Sequence, residues 1–311
     1  MEISSSEFSI VLILDGATAE YQWKRLLTAL QSTVEPAPDY QPYLMPVTRE
    51  PVLGQSCAAR DGVLIGCAGW SIPKEEKPHF PGSGSHLERY AARFSAVEIN
   101  SSFYRPHRTS TYARWAASVP PDFRFSVKVP KAITHIARLK NTGDLIGTFL
   151  AEAGGLGEKL GCLLVQLPPS LDFNPGIARC FFEELRTAAG NIPVAFEPRH
   201  GTWFERSAGS LLEEFRISRV AADPPPVPSA AEPGGWHGLI YHRLHGSPRM
   251  YYSDYSHKFV VMLAARLADA RSRSSVWCIF DNTAEGFAMP NARELMREWK
   301  ALGSPPSANV D

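Results

Sequence analysis

Ten polar side chains stand at or near the carboxyl ends of eight short apolar runs in this chain. They are Glu98, Asn100, Lys128, Gln166, Glu197, Arg199, Asp223, Arg243, His245 and Asp281. Four carboxylates against three fixed cations and one imidazole nearly neutralise one another, as charges withdrawn from water must. Two chemistries suit such a set. It can be a salt-bridge network that closes one end of a fold, or a polar ligand site, because costly ionisable groups cluster where a ligand supplies further partners. Glu98, Glu197, His245 and Asp223 are the acid–base candidates, with Arg243 or Asp223 tuning His245. Arg199, Arg243 and Lys128 would clamp an anion.

The elements that must position these groups are legible in the runs themselves: LIGCAGW (64–70), AVEIN (96–100), FRFSVK (123–128), CLLVQ (162–166), PVAFEPR (193–199), SRVAAD (218–223), LIYHRLH (239–245) and VWCIFD (276–281). Between them lie helical patterns. SHLERYAARF (85–94) sets Leu87, Tyr90, Ala91 and Phe94 on one stripe, and STYARWAASV (110–119) does the same with Tyr112, Trp115, Ala116 and Val119. Further helices are expected over 145–156, 176–189, 210–215, 258–270 and 291–302. The sixth and seventh runs are joined instead by PPPVPSAAEPGG (224–235), so a helix is expected to be lost there. Strands alternating with helices give a parallel sheet, and eight such units over about 240 residues suit a (β/α)8 TIM barrel, whose typical length is about 250. A doubly wound open sheet is the rival.

Side chains alternate faces along a strand. With the apolar parity turned to the surrounding helices, the ten polar groups converge inside, at the end where barrel folds place their ligands. His242 takes the outward parity and is expected to be packed. Loops after the second and third runs add a basic rim: Arg105 to Lys140 holds eight Lys or Arg and one acid, Asp122. Tyr104 and His135 stand in these loops. PGSGS (81–85) lacks the Lys-Ser/Thr of a phosphate loop and reads as a tight turn with Ser85 capping the first helix. Glu98, Glu197, Asp223, His245 and Asp281 form a mixed oxygen and nitrogen set that Mg, Mn or Zn could take, without any H-E-x-x-H or H-x-H spacing, so the metal and cofactor remain open. A glycosidase pair is disfavoured, because the fourth and seventh strands end in Gln166 and His245.

Over 311 residues, Lys plus Arg and Asp plus Glu both number 32, and 44% of residues are hydrophobic. A neutral chain argues against indiscriminate nucleic-acid binding but leaves room for a local basic patch. Cys57, Cys67, Cys162, Cys180 and Cys278 form no C-x-x-C pair, which suggests a reducing compartment. No apolar stretch approaches the ~18 residues of a membrane span. A cytoplasmic protein without membrane partners is expected. Residues 1–62, with five prolines between 35 and 54, read as an N-terminal extension; 63–303 form the barrel and 304–311 a tail.

GCAGWS (66–71), FSAVEINSSFYRP (94–106), FRFSVKVPKAITH (123–135), LGCLLVQLPPSLDF (160–173), FEPRHGTWF (196–204), YHRLHGS (241–247) and FDNTAEGFAMPNA (280–292) together resemble the YecE-like family, domain of unknown function 72. The resemblance covers about residues 64–300 and implies a TIM barrel but no reaction. On these motifs stand Trp70, Asn100, Tyr104, Lys128, His135, Gln166, Arg199, His200, Arg243, Asp281 and Asn282 as candidate ligand-binding residues. Two functions stand side by side. One is an enzyme of hydrolase type acting on an anionic phosphoester or nucleotide-derived substrate; the other is a non-catalytic module for an anionic ligand or nucleic acid. Oligomeric state is open.

Overall fold

The computed structural model describes residues 63–303. The expected extension over 1–62 and tail over 304–311 lie outside the described residues. The strands are β1 (Val63–Ala68), β2 (Ala96–Ile99), β3 (Arg124–Lys128), β4 (Leu160–Gln166), β5 (Val194–Glu197), β6 (Ser218–Arg219), β7 (Ala221–Asp223), β8 (Gly234–Gly235), β9 (Leu239–Leu244) and β10 (Ser275–Phe280). Each of the eight apolar runs has become a parallel barrel strand. The sixth is broken at Val220 into β6 and β7. Its first half pairs with β5 and its second with β9, so this one strand carries the sheet around to closure. The Val220 N–H still donates to Phe196 O across the break. The barrel expectation holds, and the open sheet does not.

Helices fill the intervals: α1 (His86–Ala91), the single turn α2 (Ser101–Tyr104), α3 (Thr109–Ala117), α4 (Gly143–Ala153), α5 (Pro175–Ala189), α6 (Arg206–Glu214), α7 (His257–Ala270) and α8 (Ala288–Gly303). Their starts follow local chemistry. Ser85 and Glu88 form a reciprocal capping box at α1, which satisfies two amides the helix cannot. Asn174 caps α5 with Pro175 in its first turn, where a missing N–H costs nothing. Between β7 and β9 only a turn over Pro228–Ala231 and the short β8, antiparallel to β6, replace the missing helix.

Two apolar layers result. Leu64, Ala96, Cys162, Leu164, Ala195, Val220, Ala222, Tyr241, Trp277 and Ile279 fill the barrel interior. The opposite parity, including Val97, Val127, Leu163, Phe196 and Phe280, packs under the helices. Each large side chain so buried is worth about 1.5–3 kcal/mol. Gly66 marks the tightest point of the β1–β2 pairing, since a Cβ there would stand 2.0 Å from Ala96 O. His242 is packed on the outer parity, and burial pulls its imidazole down to about 3.

Candidate functional site

Above the interior apolar layer, the inward polar parity of β2, β3, β4, β5, β9 and β10 meets in one charged cluster. Its centre is Arg243, fully buried on β9. Nε and Nη2 donate to Glu98 Oε2 and Oε1 at 2.9 and 2.6 Å, Nη1 donates to Glu197 Oε2 at 2.7 Å, and Nη2 donates to Asp281 Oδ2 at 3.0 Å. A guanidinium presents a rigid planar fork of donors, so one residue can fix three carboxylates that enter from three strands. Burial works against its charge, but Glu98, Glu197 and Asp281 hold its pKa well above the ordinary value. Glu98 lies deepest. Its second partner is the Tyr241 hydroxyl, which donates to Oε2 at 3.0 Å and lies 2.9 Å from Ser126 Oγ.

Glu197 is the second junction. Besides Arg243 it accepts from Gln166 Nε2 at 3.0 Å, pairs with Arg199 and lies 2.9 Å from His245 Nε2. Burial would raise its carboxyl; Arg199, Arg243 and His245 together take it well below the usual range. His245 Nδ1 lies 3.0 Å from Asp281 Oδ2, so that ring nitrogen faces a carboxylate acceptor. Its Nε2 faces both a donor, Arg199 Nη2 at 2.7 Å, and an acceptor, Glu197 Oε1. Asp281 likewise resists burial: Arg243, the His245 hydrogen bond and Lys128 lower its carboxyl.

Lys128, at the end of β3, is the exception. It is buried, yet among the described residues no carboxylate lies within 4.0 Å of its ammonium. Nζ rests 4.4 Å over the Phe103 ring instead. Burial and then Arg243 pull its pKa down to about 8, against the opposing pull of Glu98, Asp281 and Glu197.

The remaining sequence candidates occupy varied positions. Asn100 caps the α2 turn in sequence but makes no side-chain cap, and its buried Oδ1 has no hydrogen-bond partner among the described residues. His135 stacks edge-on against Phe103 at 4.9 Å and bonds Thr134 Oγ1 at 2.8 Å; burial, then Lys128, Arg138 and Lys131, lower its pKa. Tyr104 is exposed beside Phe103. Trp70 packs edge-on against Trp115 of α3 at 5.1 Å, on the outer core. His200 caps the turn at 201–204 through Thr202. Asn282 is buried, donating to Ser253 O and Asn291 Oδ1.

Asp223 departs from the parity expectation. Val220 and Ala222 face inward and Ile217 outward, a regular alternation, so Asp223 faces the other way. There it accepts from the Tyr255 hydroxyl at 2.7 Å, and burial raises its carboxyl. The basic rim also divides. Arg124 begins β3, at the end remote from the mouth, and spends its guanidinium on Pro121 O and Phe123 O, whereas Lys131 and Arg138 surround His135.

Four participants do not stand out in the sequence. Tyr241 and Ser126 carry the inward parity, but a neutral hydroxyl does not advertise a carboxylate partner. Phe103 lies in a helical turn. Tyr251, in the loop after β9, stands edge-on to His245 at 5.7 Å with φ 69°, and burial raises its phenol to about 12. No periodicity marks such a residue. Among the described residues no group of three His, Cys, Asp or Glu is placed to hold a metal ion; within the cluster, guanidinium groups stand between the carboxylates. No helix among them is long and apolar enough to cross a membrane.

Comparisons with known proteins agree with this architecture. Residues 64–309 match the family model described as protein of unknown function DUF72. The UPF0759 protein YecE of Escherichia coli K12 is 30% identical over 173 residues, 54% of this chain and 61% of its own length. YunF of Bacillus subtilis, another UPF0759 protein, is 26% identical over 173 residues, 52% of this chain and again 61% of its own. The chain thus spans about three fifths of the curated relatives it matches. Crystal structures of DUF72 family proteins from Enterococcus faecalis and Thermotoga maritima share the fold. The first superposes with a TM-score of 0.65 at 21% identity, covering 76% of this chain and 95% of that one; the second gives 0.63 at 23%, covering 78% and 99%. With the barrel, its charged mouth and a family match over most of its length, the chain belongs to the DUF72 family.

Proposed function

We propose that the carboxyl-end mouth of the barrel binds a small anionic molecule, a phosphoester or nucleotide-derived compound, and acts on it as a hydrolase. One observation carries this reading: the Lys128 ammonium sits buried at the mouth with no carboxylate within 4.0 Å among the described residues. An unpaired buried charge is costly, and an anionic ligand would supply the missing partner. Arg199, whose side chain is 10% exposed, is the second cation at that surface. Asp281, equally exposed and hydrogen-bonded to His245, is the carboxylate there able to orient an attacking water, with His245 behind it to hold the geometry. Glu98 and Glu197 are sealed beneath the arginines and serve this reading by fixing the cations.

The test is thermal unfolding with inorganic phosphate and nucleoside monophosphates, followed by a phosphatase and phosphodiesterase panel. A ligand at 100 times its Kd adds about 2.7 kcal/mol; Lys128→Met and Arg199→Met are expected to abolish the gain. No stabilisation by any anion would overturn the reading. Stabilisation without turnover, falling steeply with salt, would favour a binding module for an anionic ligand or nucleic acid.

A further inference from the structure

Lys128 differs in kind from the other cations of the mouth. Arg243 and Arg199 are guanidinium groups, held by carboxylates and unable to release a proton. Lys128 carries an amine on a buried stem at the end of a barrel strand. Its nitrogen lies over the face of Phe103, whose ring is held edge-on by His135 and Tyr104. A desolvated amine beside other cations, with no carboxylate within 4.0 Å among the described residues, has the setting of a carbonyl-condensing nucleophile.

We infer that Lys128 is a nucleophile that forms an imine with a small aldehyde or ketone bearing a carboxylate or phosphate group. This replaces hydrolysis as the reaction and rests on the anion site alone, through Arg199, for orientation of the carbonyl compound. In the step, the free amine attacks the carbonyl carbon, a C–N bond forms and the carbonyl oxygen takes a proton to give a carbinolamine. The C–O bond then breaks, water leaves with that oxygen, and the nitrogen keeps one proton as an iminium. Overall, one lysine ammonium and one carbonyl compound give one iminium and one water, with no oxidant or reductant. The iminium withdraws electrons from the adjacent carbon.

The charged and titratable groups around the amine are Arg243, Glu98, Asp281 and Glu197 of the cluster, with His135 on the rim. With its pKa near 8, Lys128 holds roughly 200-fold more free amine at pH 7 than an ordinary lysine. The experiment treats the full chain with glyoxylate and cyanoborohydride and maps the modified lysines by peptide mass spectrometry between pH 6 and 9. Lys128 is expected to be modified at least ~10-fold faster than the exposed Lys74, Lys77, Lys131 and Lys258, with a rate that levels off above pH 8 and is slowed by inorganic phosphate. Modification spread over the exposed lysines with Lys128 untouched would overturn the inference. If phosphate still stabilises the protein in that case, the anion site survives and the imine alone fails. If Lys128 is modified but phosphate neither stabilises nor competes, the nucleophile stands and the anion reading falls. Mapping wild-type protein makes the result independent of whether Lys128→Met folds.

Discussion

Replacing Arg243 with methionine removes four hydrogen bonds to three carboxylates at once. The losses are unequal. Glu197 keeps Arg199, Gln166 and His245, and Asp281 keeps His245. Among the described residues Glu98 keeps only the Tyr241 hydroxyl, in a site closed to solvent. Removing one partner of a buried pair costs about 3–5 kcal/mol, so Arg243→Met is expected to lose that much at pH 7. For a domain of this size the loss lowers Tm by roughly 6–20 °C, at about 2–4 °C per kcal/mol. The direction with pH discriminates further. In the wild type, Glu197 and Asp281 have depressed carboxyls, so their stabilisation is complete above the unfolded values, about 4.3 and 3.9, and is lost as pH falls through the lower folded values. In the variant, a buried carboxylate without its cation takes up a proton more readily. The deficit should therefore shrink between pH 7 and pH 5. Glu98→Gln added to Arg243→Met should recover about 1–3 kcal/mol, because it removes the stranded charge. Thermal unfolding of the three proteins at both pH values measures this. A loss below 1 kcal/mol, or an equal deficit at pH 5 and pH 7, would refute the account of Arg243 as the clamp of the barrel top.

His242, neutral in its packed site with a pKa near 3, contributes stability above its unfolded value of about 6.5 that drains away as pH falls. At pH 5 the loss reaches about 2 kcal/mol, so His242→Leu should flatten the acid limb of the stability curve by that amount between pH 7 and pH 5. Tyr255→Phe strips a donor from Asp223 and an acceptor from the Gly246 N–H; a cost of about 1–3 kcal/mol is expected in chemical denaturation. Gly66→Ala forces a Cβ onto Ala96 O and should cost about 3 kcal/mol or more, read as a fall in soluble yield and Tm.

What could be read from the chain follows from where period-two alternation operates. Along β2, β3, β5, β9 and β10 the backbone is regular, so parity alone brings Glu98, Lys128, Glu197, Arg243, His245 and Asp281 to one face, and the structure brings their side chains together. Alternation persists through the sixth strand, with Ile217 on the outer face and Val220 and Ala222 on the inner one. What fails is the choice of face: the polar strand end reads as inward, whereas Asp223 lies on the outer parity beside Tyr255. Val220, Ala221 and Ala222 are apolar on both faces, so no local pattern decides which one turns inward. Loop residues escape for a different reason. Tyr251 reaches His245 through a left-handed backbone and a turn whose course no repeat encodes.

The charge inventory carries a further consequence. The sequence offers four carboxylates for three fixed cations, a balance compatible with a closed network. The structure withdraws Asp223 from that set, leaving Glu98, Glu197 and Asp281 against Arg243, Arg199 and Lys128. Arg243 bridges all three acids and Arg199 doubles on Glu197. The cation left over is the amine, the one member of the three that can lose its proton. It stands at the mouth on an aromatic face. A network built only for stability has no use for a buried lysine held apart from three nearby carboxylates, since an apolar side chain of that size would serve at least as well. On that placement rest both the proposed anion site and the proposed Lys128 nucleophile.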